Sequence, residues 1–220
     1  LNRIREICDT YGVLLIFDEV MCGMGRTGAL FACNIDNVVP DILTIAKGLG
    51  AGYQPIGAML CREYIHEAIE NGTGFFQHGH TYLGHPIAAA AANAVLDRLV
   101  NDKLVESVSK KGQYLKNKLN ECFHDHPNIG DIRGRGLFIG IEIVQDKQSK
   151  NAFDSSLNIA GMIKKHAFSE GLICYPAQGT IDGRAGDHIL LAPAFIISDA
   201  EIEMLVEKLD TTIQQTLQVK

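Results

Sequence analysis

Two acids close an apolar run in this sequence: Val13-Leu14-Leu15-Ile16-Phe17 leads without a polar break into Asp18-Glu19. Ligands of open α/β sheets bind beyond the carboxyl ends of the strands, so an acid there is placed for chemistry, against the alternative of a solvated strand end. Such a strand also suits the Mg²⁺-binding strand of a P-loop NTPase, but no G-x-x-x-x-G-K-[ST] loop occurs in the chain. A second apolar stretch, Ile42-Leu43-Thr44-Ile45-Ala46, ends in Lys47, with Gly48, Gly50 and Gly52 behind it. A lysine so placed either extends into solvent or sits in a cleft with a lowered pKa and acts as an amine nucleophile. Spacing alone does not choose. Gly23-Met24-Gly25-Arg26-Thr27-Gly28 spells G-x-G-x-x-G, yet Val20-Met21-Cys22 separate it from the acids that end the strand and no sustained helix follows. It reads as a turn-rich loop rather than a dinucleotide fingerprint. His78, His80 and His85 match no standard zinc spacing, and Cys33 and Cys174 read as small apolar packing residues.

The elements that must position these residues follow from periodicity. Ile4, Ile7, Cys8 and Tyr11 share one face of a helix over 2–11 that Gly12 is placed to end. The run 13–17 predicts a strand buried on both faces, as in a parallel sheet. Further strands are expected at 42–46 and 56–61, a helix to about residue 71, and an Ala-rich helix from Pro86 to about Val100. This alternation predicts an α/β layer. Beyond it come an amphipathic helix over 103–123, an alternating strand over 137–144, a helix near 156–170, and short strands near 172–174 and 188–191. A last helix opens on Ser198-Asp199-Ala200-Glu201, a capping-box pattern. The texture changes near residue 95, which predicts one domain over 1–95 and a second over 96–220.

Composition sets outer bounds. The chain has 220 residues, 46% of them hydrophobic and 21% charged, which fits a globular protein and excludes a disordered tail or a disulfide mini-scaffold. A formal charge of −6 argues against a nucleic-acid partner, and no apolar run is long enough to cross a membrane. The six cysteines are scattered, which predicts a reducing, cytoplasmic setting. The sequence opens on Leu1 rather than Met, which fits the back portion of something longer.

Several of these segments, in order, resemble the class III pyridoxal-phosphate-dependent aminotransferases. The resemblance rests on Leu15-Ile16-Phe17-Asp18-Glu19-Val20, the Gly23–Gly28 loop, Pro40-Asp41-Ile42, Ala46-Lys47-Gly48-Leu49-Gly50 and Gly79-His80-Thr81-Tyr82-Leu83-Gly84-His85-Pro86. It continues through Arg133-Gly134-Arg135-Gly136-Leu137-Phe138-Ile139-Gly140-Ile141-Glu142 and Leu191-Ala192-Pro193-Ala194-Phe195, and so covers essentially the whole chain. It implies a fold-type-I architecture: the C-terminal part of a large, mostly parallel cofactor domain followed by an α+β small domain. It also implies that Lys47 holds pyridoxal 5′-phosphate as a Schiff base and later carries a proton, because an amine serves as both nucleophile and base. Asp18 is then expected to pair with the pyridinium nitrogen, Val20 to pack on the ring, and Thr81 to contact the cofactor phosphate across a homodimer interface. Arg26 and Arg133 are expected to form structural ion pairs.

Substrate choice is written less firmly in the chain. Some branches of the family place an arginine just before the Ala-Pro segment to clamp an α-carboxylate, but here the stretch reads His188-Ile189-Leu190-Leu191-Ala192-Pro193. Arg184, in the preceding loop, is the candidate clamp instead, against the alternative of a solvent-exposed loop arginine. These features predict an amine or ω-amino-acid donor with pyruvate or another 2-oxo acid as acceptor. Family members are longer, and the phosphate-binding glycine/serine loop and the ring-stacking aromatic belong to a front part that this sequence lacks. Two alternatives stay open: a truncated non-catalytic fragment, and an aminomutase, racemase or decarboxylase on the same scaffold. The loss of that front part also predicts exposed apolar faces on the helix at 2–11 and the strand at 13–17.

Overall fold

The computed structural model describes residues 1–217, which divide into two compact units, one over Leu1–Glu106 and a second that begins at Ser107. The break falls after residue 106, so the Ala-rich helix belongs wholly to the first unit and residue 95 lies inside that helix.

The first unit opens with α1 (Asn2–Tyr11), ended by Gly12, whose left-handed conformation (φ 63°) lets its N–H reach the Cys8 carbonyl. The strands β1 (Ile16–Asp18), β2 (Ile42–Ile45) and β3 (Ala58–Cys61) form a sheet in that order, with β1 parallel and β3 antiparallel to β2. Helices α2 (Glu63–Asn71) and α3 (Pro86–Asn101) follow, and α3 packs on the turn after β2. The strand over 13–17 is shifted in the structure. Pairing begins only at Ile16, and Val13 and Leu14 make no ladder. Nor is β1 buried on both faces: Ile16 is 57% exposed, because β1 is an edge strand with a neighbour on one side only. Ile4, Ile7 and Tyr11 of α1 are exposed as well, so the apolar faces expected to stand open do so.

At the amino ends of β1 and β2 one buried carboxylate ties the layer together. Asp41 accepts hydrogen bonds from the Leu15 N–H (2.7 Å) and from Arg5 Nη1 (2.8 Å), and Arg5 also holds Asp9. Burial pulls the Asp41 carboxyl upward, but the Leu15 N–H, the Arg5 guanidinium and the Tyr64 hydroxyl outweigh it and hold the pKa at about 2.

The second unit is built on an antiparallel sheet of β4 (Ile129–Arg135), β5 (Phe138–Ile143), β6 (Tyr175–Gln178) and β7 (Asp187–Leu191), in the order β4-β5-β7-β6. Helices α4 (Leu104–Phe123), α5 (Ile159–Ser169) and α6 (Asp199–Leu217) supply its other apolar faces. Leu115, Leu119, Ile139, Ile141, Ile163, Ile189, Leu209 and Ile213 are fully enclosed in one core. Gly112 of α4 lets the helix backbone rest on the β4–β5 turn, since a Cβ there would lie 2.2 Å from the Gly136 carbonyl oxygen. The capping box of α6 forms as expected: the Ser198 N–H donates to Glu201 Oε2 (2.7 Å) and the Glu201 N–H donates to Ser198 Oγ (3.3 Å).

Candidate active site

Parallel pairing fixes where the two candidate residues emerge. Ile16 lies opposite Ile42, Phe17 opposite Leu43 and Asp18 opposite Thr44. The Glu19 N–H donates to the Thr44 carbonyl (2.9 Å), which carries the ladder one residue further. Asp18 therefore ends β1, and Lys47 opens the 3₁₀ turn Lys47–Leu49 two residues beyond the last residue of β2, at the same end of the sheet. Both side chains are exposed there. Asp18 Oδ1 accepts from the Val20 N–H at 3.0 Å, and Val20 is half-buried.

The backbone at this end of the sheet is unusual. Lys47 (φ 41°), Ala51 (φ 46°) and Met24 (φ 55°) are left-handed without being glycine. Such residues cost roughly 1–3 kcal/mol each and persist where the surroundings over-determine them, often at functional sites. The Lys47 turn is closed by hydrogen bonds from the Leu49 N–H to the Ala46 carbonyl (2.9 Å) and from the Gly50 N–H to the Lys47 carbonyl (3.2 Å).

The segment 20–31 is a succession of turns and bends with no helix inside it, in agreement with its reading as a loop. Its interior is packed: Gly23, Met24, Gly25 and Thr27 are buried. Glu19 closes it. The residue is 3% exposed, and its two carboxylate oxygens accept from the Ala32 N–H (2.6 Å) and the Cys33 N–H (2.8 Å). Sequence reasoning treated Asp18-Glu19 as one acidic terminus; the pleat sends the two carboxylates to opposite fates. Burial first, and the Glu19 carboxylate second, push the Cys33 thiol up to about 11, so it stays protonated near neutral pH.

The remaining candidates separate from this cluster. Thr81 is exposed on the turn 81–84 just before α3. His80 Nδ1 accepts from the Tyr82 N–H (3.2 Å), and His85 Nδ1 accepts from the Ala88 N–H (3.4 Å) as the cap of α3. Among the described residues no group of three or more His, Cys, Asp or Glu side chains is arranged to hold a metal ion. Arg133 bridges Asp131 (2.9 Å) and Glu142 (2.7 Å) across β4 and β5, the structural ion pair expected of it. Burial lowers the pKa of the half-buried Arg26 guanidinium.

Arg184 belongs to the second unit, on the hairpin loop between β6 and β7, with its side chain exposed. That loop is rigidly built. Asp182 Oδ1 accepts from the N–H groups of Arg184 (2.9 Å) and Ala185 (2.7 Å), the Gly179 N–H reaches the Gly186 carbonyl (2.8 Å), and Thr180 Oγ1 lies 2.7 Å from His188 Nδ1. At its base the buried Asp187 accepts from the Ala160 N–H (3.0 Å) at the start of α5, and burial raises its carboxyl pKa.

An acid and an amine leaving the same end of adjacent parallel strands, beside strained turns, invite comparison with known proteins. The model of the family described as aminotransferase class-III matches residues 1–213. The chain belongs to the class III aminotransferases. It is 47% identical over 216 residues to an uncharacterized aminotransferase of Schizosaccharomyces pombe, covering 98% of this chain and 47% of the relative. A putrescine–pyruvate aminotransferase of Pseudomonas aeruginosa is 35% identical over 215 residues, covering 97% of this chain and 45% of the relative. The crystal structure of an (S)-enantioselective ω-transaminase from Thermomicrobium roseum superposes with a TM-score of 0.89 at 36% identity, over 98% of this chain and 46% of that one. The fold is thus that of the fold-type-I transaminases, and the chain spans about half the length of the curated relatives it matches. No helix among the described residues is long and apolar enough to cross a membrane.

Proposed function

We propose that this chain forms the lysine-bearing part of a transaminase that moves an amino group from an amine or ω-amino acid to a 2-oxo acid such as pyruvate. The observation that carries the proposal is the shared exit of Asp18 and Lys47 from the parallel pair β1–β2. A carboxylate and a primary amine are the donor set that pyridoxal phosphate requires: one group for a protonated ring nitrogen, one for an aldehyde carbon. The residues fit the cofactor. When bound, pyridoxal phosphate supplies an electron sink for the bonds at the amino-bearing carbon of the substrate.

This chain's own groups then divide the work. Lys47 Nζ would hold the cofactor's aldehyde carbon and, when free, would accept and return the proton of the substrate's amino-bearing carbon. Asp18 would be the group that pairs with the ring nitrogen and favours its protonated form. Val20 would pack against the ring, and Thr81 would donate to the phosphate held by a second copy in a homodimer. We read the first unit as the cofactor domain and the second as the small domain, a change that sequence texture places near residue 95 and compactness after residue 106. The preference for amines with pyruvate is supported by the names of the Pseudomonas and Thermomicrobium relatives and by the absence of an arginine in His188–Pro193. Arg184 then clamps the acceptor's carboxylate as a fork. Six free thiols fit the reducing interior of a cytoplasm.

The test is an absorption spectrum with added pyridoxal phosphate, recorded for the chain and for Lys47→Ala, followed by addition of an amine donor and pyruvate. A Lys47-dependent band, with alanine formed from pyruvate, is the expected result. Identical spectra for the two proteins would remove catalysis from this chain as it stands.

A further inference from the structure

We infer that Met24 is a positioning residue for Lys47: it acts as a wedge that sets the left-handed turn presenting the amine, and Glu19 locks that wedge in place. The two residues touch neither substrate nor cofactor in this assignment, and the inference deepens the reading of Lys47 given above.

The argument starts from close approach. An ideal Cβ built on Gly48 would lie 2.9 Å from Met24 Cβ and 3.6 Å from Met24 Cγ, so the Met24 side chain fills the space directly behind the residue that follows Lys47. A contact of 2.9 Å is shorter than real Cβ atoms tolerate, so Gly48 is required by Met24. Met24 is 2% exposed, so its side chain has no freedom to retreat. Its own backbone is left-handed at φ 55°, and Lys47 is left-handed at φ 41°. One packed contact therefore has a left-handed non-glycine residue, Met24, on one side and a left-handed Lys47 directly before the glycine on the other. A left-handed lysine needs something to hold it there, since an extended or right-handed backbone lies lower in energy.

What holds Met24 is the closed loop behind it. A Cβ on the preceding Gly23 would lie 2.7 Å from the Glu19 carbonyl oxygen and 3.2 Å from Glu19 Oε2, so the chain folds directly onto Glu19. The Gly23 N–H donates to that carbonyl (2.9 Å), and the Gly25 N–H donates to the Leu30 carbonyl (3.1 Å). Glu19 in turn spends both carboxylate oxygens on the far end of the loop, at Ala32 and Cys33. The mechanical path runs from the end of β1 through the Glu19 carboxylate and the loop to Met24, then across to Gly48 and Lys47. It couples the acid-bearing strand to the amine-bearing turn, which fixes how the two functional groups stand to each other.

The test reads the lysine without any cofactor. Trace acetylation of the whole chain across pH 6–11, followed by peptide mass spectrometry, gives a reactivity profile for Lys47 beside internal standards such as Lys116 and Lys164. Met24→Gly removes the side chain at a position whose backbone suits glycine, so folding is retained, and Met24→Leu keeps the bulk. Met24→Gly is expected to change the Lys47 acetylation rate by about threefold or more, with the standards unmoved and Met24→Leu near the parent. Gly48→Ala should also disturb Lys47, and adding Met24→Gly to it should relieve the disturbance, because the partner of the clash has gone. A Lys47 profile that ignores Met24→Gly, or a Gly48→Ala effect that survives in the double variant, overturns the inference. If a variant fails to fold by circular dichroism, the Glu19→Gln profile decides by the same criterion. Absence of a Lys47-dependent pyridoxal-phosphate band would instead defeat the functional reading and leave this result standing on its own measurement.

Discussion

The two units differ in the size of their closed cores, although the second also leaves Phe168, Ile173, Tyr175 and Ile196 more than half exposed. In the second, α4, α5 and α6 enclose the sheet so fully that Leu119, Ile141, Ile163, Ile189 and Ile213 have no exposure at all. In the first, the buried set is smaller, and Tyr11, Val13, Ile16, Tyr53, Phe75, Phe76, Tyr82 and Leu83 stand more than half exposed. Yet the acid, the amine and most of the strained backbone belong to the first unit. The unit with the poorer core carries the candidate chemistry, and the unit with the better core carries mainly structure. A single domain that met all its needs internally would have no reason to leave Ile16 or Tyr82 open; surface of this kind is made to be covered.

That contrast can be broken or sharpened by substitution. The largest effect is expected at Asp18: in a catalytically competent assembly, Asp18→Asn should lower transamination about 10³-fold, the scale of losing one preorganised electrostatic partner, with little change in melting temperature. A large drop in melting temperature with activity retained would make Asp18 structural. Next, Leu119→Ala should cost about 3 kcal/mol in the second unit by opening a cavity in a closed core. Hydrogen exchange should report the loss in β5 and β7 while β1 and β2 stay unchanged; equal loosening of both sheets would end the contrast.

Asp41 offers a pH-dependent test confined to the first unit. Its folded pKa of about 2 lies below the ordinary aspartate value of about 3.9, so its contribution is fully present above pH 4 and is lost as pH falls toward 2. The shift corresponds to about 2 kcal/mol, and Asp41→Asn should remove that amount at neutral pH and flatten the acid limb of the stability curve. An acid limb that is unaltered in the variant would show that other carboxylates govern it. The smallest effect is expected at Arg184. Arg184→Ala should raise KM for a 2-oxo acid acceptor about tenfold, or about 1.4 kcal/mol, and leave the KM of an uncharged amine donor in place. Unchanged acceptor kinetics would return Arg184 to being an ordinary loop arginine.

Much of this was legible from side-chain pattern, and the failures have physical causes. α1, β2, α2, α3, α4, β5 and α6 lie where periodicity put them, because each carries a sustained apolar face or a recognisable cap. β4 was missed because Gly130 and Gly134 interrupt its alternation and Arg133 and Arg135 make it resemble a polar loop. The strand expected near 172–174 is β6 at Tyr175–Gln178, displaced onto a segment whose Pro176 argues against a ladder yet is tolerated at an edge. At the site, Asp18 and Lys47 stood out because a charge ending an apolar strand is conspicuous. Glu19 and Met24 did not. A buried carboxylate spent on backbone N–H groups and a methionine pressed on a glycine leave no signature in residue type; only the folded chain brings them to their partners.

The borders of the two sheets carry a consequence for assembly. In the second sheet both borders are blunted: β6 presents Pro176, which has no N–H to offer, and β4 carries an irregular register between Ile129 and Asp131 along with Asp131, Arg133 and Arg135. Proline, bulges and charge are the devices that stop a sheet from recruiting a further strand. In the first sheet β3 has none of them, reading Ala-Met-Leu-Cys, and β1 carries only the single charge of Asp18 at its carboxyl end. Strand addition is therefore directed to the first sheet rather than the second, and above all to the uncharged border that β3 presents.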